Sequence, residues 1–97
     1  MKSNELIYEL DNVLDVLSKM DSKERLWEFL LDLMTDKEIL EFARRFDVAK
    51  MLDQGISYTR IEKKTGMSST TIARNSKSLN SDNMGYRNAI NIISGEV

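Results

Sequence analysis

An all-α fold is what this sequence predicts, and three observations predict it. The 97 residues contain no Pro and only four Gly. Leu, Glu, Lys, Arg, Met and Ala, the good helix formers, abound. Apolar residues recur at steps of three and four, the period of an amphipathic helix. Residues 1–97 read as a single helical domain, with dimerisation and core helices over 1–55, a helix-turn-helix over 56–79 and a C-terminal helix over 80–97. A chain this short buries about two-thirds of the surface its unfolded form exposes, so oligomerisation is the expected remedy for a thin core.

Each element has a local reason. Residues 3 to 20 place Leu6, Leu10, Val13 or Leu14, and Leu17 on one helical stripe, with Ser3 as the cap. Ile7 and Leu14 widen that stripe beyond what one small partner covers, so this helix is expected to meet a second subunit. Asp21-Ser22-Lys23-Glu24 has capping-box spacing, Asp21 accepting from a first-turn amide and Glu24 reaching back. It starts a second helix in which Leu26, Trp27, Leu30, Leu33 and Met34 read as core, Trp27 as core or subunit interface.

Thr35-Asp36-Lys37-Glu38 repeats the box. The long helix after it is expected to turn Ile39, Phe42, Phe46, Ala49 and Leu52 inward and to close at Gly55, the preferred residue for a left-handed C′ position. Arg44 and Arg45 are neighbours in that helix, and at 100° per residue they meet different surroundings. Ser57 caps a short helix through Thr65, Gly66 permits the positive φ of a tight turn, Met67 tucks inward, and Ser68 caps a helix from Ser69 to about Leu79. Ile61, Met67, Ile72 and Leu79 join this pair to the body. In the tail, Ser81 or Asp82 can cap a last helix carrying Met84, Ala89, Ile90 and Ile93, whose start Gly85 weakens by about 1 kcal/mol relative to Ala.

Composition narrows the function. With no His and no Cys, the imidazole base, the thiolate nucleophile and the usual zinc ligands are missing, and no carboxylate pair stands isolated on an apolar face. An enzyme is not expected, and no metal or other cofactor is predicted. No apolar run approaches the length of a membrane span and no stretch has the layout of a signal peptide, so the expectation is a soluble, cytoplasmic protein.

The net charge of −2 hides a division. Residues 1–41 hold five Lys/Arg against eleven Asp/Glu, whereas residues 42–80 hold eight against three. A basic block in an acidic protein is what phosphate contacts need. Two readings follow from the pattern. In one, the helix after Ser68 lies in the major groove of double-stranded DNA. Ser69, Thr70 and Thr71 then offer short hydroxyls to base edges, Ser68 starts and positions the helix as its cap, and Thr59, Arg60, Lys63, Lys64 and Lys77 meet the backbone. In the other, the protein is a helical interaction module whose basic segment docks on acidic partners. Glu62, where this motif usually carries a small residue, keeps the match moderate.

Three stretches, LMTDKE, ARRFDVAKMLDQGISYTRIEKKTG and TTIARNSKSL, give the span from Leu33 to Ile90 a resemblance to the Trp repressor family, most closely to its Trp-repressor-like YerC/YecD group. The resemblance implies six helices in an intertwined homodimer, with two DNA-reading heads controlled by an amino-acid corepressor. It also implies a ligand pocket: Arg44 against the ring of the ligand, Arg74 on its carboxylate, and Thr35 and Ser78 near its polar end. Asn75 stands where the Trp repressor itself has glycine and is expected to fill or reshape the pocket. That disfavours tryptophan and leaves open a smaller or more polar amino acid, or no ligand. The plainer alternatives are Arg44 paired with Glu41 or Asp47, and Arg74 as a phosphate contact.

Overall fold

The computed structural model describes residues 3–95. Among the described residues the chain is six α-helices and no strand: α1 (Ser3–Lys19), α2 (Lys23–Leu33), α3 (Asp36–Asp53), α4 (Tyr58–Thr65), α5 (Ser69–Leu79) and α6 (Gly85–Ser94). The Ser3 side chain, expected to cap α1, lies outside what is described. The chain divides into two compact units, Met1–Ile39 and Leu40–Val97.

In the first unit no described side chain is fully buried. The stripe of α1 lies where its periodicity puts it, yet Leu6, Ile7, Leu10 and Leu14 stay exposed, as do Leu31 and Leu33 of α2. Trp27 is 50% exposed, so within this chain it is not core, and Leu26, Leu30 and Met34 are only half-buried. The physical reason is width: an apolar stripe needs a partner along its whole length, and two short helices leave much of each stripe uncovered.

At α2 the cap differs from the one that the spacing predicts. The α2 cap is Ser22, not Asp21; its Oγ accepts from the Arg25 N–H at 3.1 Å. That places Arg25 rather than a glutamate at the third helical position and leaves no reciprocal bond. At α3 the box is complete. Thr35 Oγ1 accepts from the Glu38 N–H at 3.2 Å, while Glu38 Oε1 accepts from the Thr35 N–H at 2.9 Å and from its hydroxyl at 3.0 Å. These two donors, the backbone one foremost, hold the Glu38 carboxyl below its ordinary pKa.

The second unit has the core. Val48, Ala49, Ile61, Ile72 and Leu79 are buried, and Met51, Leu52, Ile56 and Met67 pack around Val48, Ile61 and Ile72. Phe42, expected inward, is 57% exposed. The core cluster draws only on the last turns of α3; of the earlier apolar side chains, Leu40 and Phe42 are exposed and Ile39 and Phe46 are half-buried. Gly55 and Gly66 both take the left-handed conformation, φ +79° and +73°. The last helix starts later than expected. Neither Ser81 nor Asp82 caps it; Met84, itself left-handed at φ 64°, precedes Gly85 without any side-chain cap. Ser81 is spent on α5, its hydroxyl donating to the Ser78 carbonyl at 2.7 Å. Ile93 of α6 is exposed, and Ala89 and Ile90 are half-buried.

Candidate nucleic-acid interface

The α4–α5 pair is built by four local devices. Ser57 Oγ accepts from the Arg60 N–H at 3.3 Å and starts α4. Gly66 ends it, its N–H donating to the Glu62 carbonyl at 2.8 Å. Thr65 then braces the turn, its hydroxyl donating to the Ile61 carbonyl at 2.7 Å and accepting from the Met67 N–H at 3.2 Å. Ser68 starts α5, its Oγ accepting from the Thr71 N–H at 3.2 Å. Ile61, Ile72 and Leu79 anchor the pair inward, so the opposite face of α5 is fixed by the 3.6-residue period.

On that outward face stand Ser69, Thr70, Ala73 and Lys77, all exposed. Ser69 and Thr70 present free ends in the first turn, at the tip a groove-reading helix uses. Ala73 is a residue the sequence reading passed over. Its exposed methyl at the centre of the face is suited to a thymine methyl, and its place between Ser69 and Lys77 at steps of four was the available signal. Ser68 and Thr71 behave differently. Their hydroxyls lie 3.0 Å from each other, and Thr71 is half-buried, so both serve the geometry of the turn more than an incoming base.

The cations gather on α4. Arg60, Lys63 and Lys64 line a cleft of about 270 Å³ with Ile56, and Thr59 is exposed in the same first turn. Among the described residues no ion pair takes any of these three; the pairs are Lys50 with Asp47, at 3.4 Å, and Arg87 with Asp53. Asp47 is therefore engaged by Lys50 and not by Arg44.

Beneath α5 lies a cavity of about 260 Å³ lined by Glu41, Arg45, Met67, Thr71, Arg74 and Asn75. It brings together Arg74 and Asn75 of the expected ligand set, but its α3 arginine is Arg45, the neighbour of Arg44. One residue along a helix is a 100° rotation, and that rotation selects between them. Ser78 faces a separate cleft of about 460 Å³ with Ser81, Asn83, Gly85 and Tyr86. Thr35 belongs to the first unit, where its hydroxyl is committed to the α3 cap. Asn75 is buried, and its Oδ1 accepts from the Tyr86 hydroxyl at 3.3 Å. No helix among the described residues is long and apolar enough to cross a membrane.

Comparisons with known proteins agree with this architecture. The crystal structure of a candidate Trp repressor from Staphylococcus aureus superposes with a TM-score of 0.85, at 33% identity, over 97% of this chain and 95% of that one. The uncharacterized protein YerC of Bacillus subtilis (strain 168) is 38% identical over 82 residues, 84% of this chain and 79% of its own length. The model of the family described as Trp repressor protein, a family of DNA-binding regulators and not of enzymes, matches residues 8–93. The chain therefore belongs to the Trp repressor protein family.

Proposed function

We propose that this protein is a sequence-specific transcriptional regulator, a repressor in type, that binds double-stranded operator DNA as a homodimer. The observation that carries the reading is the outward face of α5. Ser69, Thr70 and Ala73 are short and uncharged, and Lys77 and the Arg60–Lys63–Lys64 cleft of α4 supply cations beside them. Short side chains let the helix approach base edges, and cations on the preceding helix suit the phosphates that fix its register. The homodimer is supported by the first unit, whose exposed Leu6, Leu10, Leu14 and Trp27 suit a self-complementary two-fold interface. Pairing would set two heads about 34 Å apart, the spacing of successive major grooves.

The cavity under α5 is the proposed seat of a small amino acid or related metabolite that tunes the head, its guanidinium groups suiting a carboxylate. The Asn75 side chain in its wall leaves less room for a large ring, which favours a small effector over tryptophan. The proposed setting is the cytoplasm, where operator DNA is reached.

The test is selection of bound DNA from random sequence, repeated with each amino acid, followed by gel shifts on the winner. Arg60→Ala or Lys64→Ala should weaken binding to every sequence and reduce the slope of log affinity against log salt by about 1. Thr70→Ala should instead relax sequence preference. If no fragment is retained at low salt, with or without amino acids, the regulator reading fails and docking on an acidic protein partner takes its place.

A further inference from the structure

Asn75 occupies a costly position. It is the buried polar side chain of α5, 6% exposed, set in the inward row between Ile72 and Leu79. An amide there must recover its hydrogen bonds or carry the desolvation penalty of an unpaired polar group. Only one end recovers: Oδ1 accepts from the Tyr86 hydroxyl, while Nδ2 is buried with no protein partner. A leucine would fill the row without that deficit. The amide therefore needs a reason other than packing, and the residues around Tyr86 supply one.

Tyr86 holds two elements at once. Its hydroxyl reaches Asn75 of α5, and its ring lies on Phe46 of α3, with centroids 6.5 Å apart and planes inclined by 25°. Arg87, the next residue, does the same at the other edge. One guanidinium nitrogen pairs with Asp53 at the end of α3, and the other donates to Asn80 Oδ1, at the α5 C-cap, at 2.9 Å. Two consecutive residues in the first turn of α6 thus each grip α3 and α5. Elsewhere α5 is held by apolar contacts, which resist separation but do little to resist rotation, being non-directional. Hydrogen bonds, and a guanidinium whose two nitrogens bridge Asp53 and Asn80, are directional and fix orientation.

We infer that the first turn of α6 is a clasp that sets the orientation of α5 against α3, with Asn75, Tyr86 and Arg87 as positioning residues for DNA reading. This rests on the regulator reading above. The clasp is made from the chain's own side chains, so a cavity ligand would act on a head that these contacts already orient.

Tyr86→Phe keeps the ring on Phe46 and removes the hydroxyl, leaving the Asn75 amide unpaired, so it lowers both stability and DNA affinity. The decisive protein is the double variant Asn75→Leu with Tyr86→Phe, which replaces both polar partners by apolar ones and so restores stability. Its DNA affinity is expected to stay about fivefold below wild type, the scale of one lost hydrogen bond, and amide hydrogen exchange is expected to stay faster in α5 alone. Arg87→Met should add an independent loss of similar size. Recovery of affinity together with stability in the double variant overturns the inference, as does unchanged exchange in α5. If the wild-type chain retains no DNA, the regulator reading fails separately. The exchange measurement still decides the clasp: acceleration confined to α5 upholds it, and none overturns it.

Discussion

At the scale of single residues, the best-defined polar feature is the Thr35–Glu38 box, in which each residue satisfies the other's amide. Because the folded-state pKa of Glu38 lies below its ordinary value, the stability it contributes is complete above about pH 4.3. It is lost as the pH falls through the lower, folded value. Helix content followed by circular dichroism should therefore drop more between about pH 6 and pH 3 in the wild type than in Glu38→Gln, which lacks that titration. Equal drops would show that the box does not hold α3. This box was legible from spacing alone. The choice of Ser22 over Asp21 was not, since both can cap and only backbone direction separates them. Arg44 and Arg45 pose the same problem in sharper form: sequence shows two adjacent guanidiniums, and only the phase of α3 decides that Arg45 reaches the cavity.

At the scale of elements, the α4–α5 turn depends on Gly66. No atom lies within 4 Å of where its Cβ would stand, so the site has room, but its φ of +73° does not suit an L-residue. Gly66→Ala should therefore cost about 1–2 kcal/mol from conformation alone. Ile72→Ala, at a side chain with 0% exposure, should cost about 2–5 kcal/mol. Chemical denaturation of both variants checks the order, and a Gly66→Ala loss as large as that of Ile72→Ala would mean that the turn also carries packing. Both residues, and both serine caps of the pair, were readable because their signals are local. The start of α6 was misread because Ser81 and Asp82 are sound caps in isolation. The Ser81 hydroxyl instead closes the end of α5 on the Ser78 carbonyl, three residues back, and Met84 takes the left-handed turn before α6.

At the scale of the whole molecule, the first unit presents more apolar surface than a lone chain leaves in water without consequence. The proposed homodimer makes a direct prediction. Sedimentation should give a dimer at micromolar concentration, Leu10→Asp with Leu14→Asp should give a monomer, and that monomer should lose operator affinity because its heads no longer bind as a pair. A wild-type monomer that still binds a two-fold site as tightly would remove the dimer from the mechanism.

Composition and period by themselves determined the six helices, most of their bounds, the helix-turn-helix and the acidic-then-basic division, because these depend on backbone preference and on near neighbours in sequence. Tertiary structure alone decided which arginine lines the cavity, that Thr71 turns partly inward while Ala73 faces out, that Phe42 stays exposed, and that Asn75 is fastened to Tyr86, eleven residues on. Those facts depend on the rotation of one helix against another. Helical spacing fixes which residues share a face; what that face meets is set only when the helices pack.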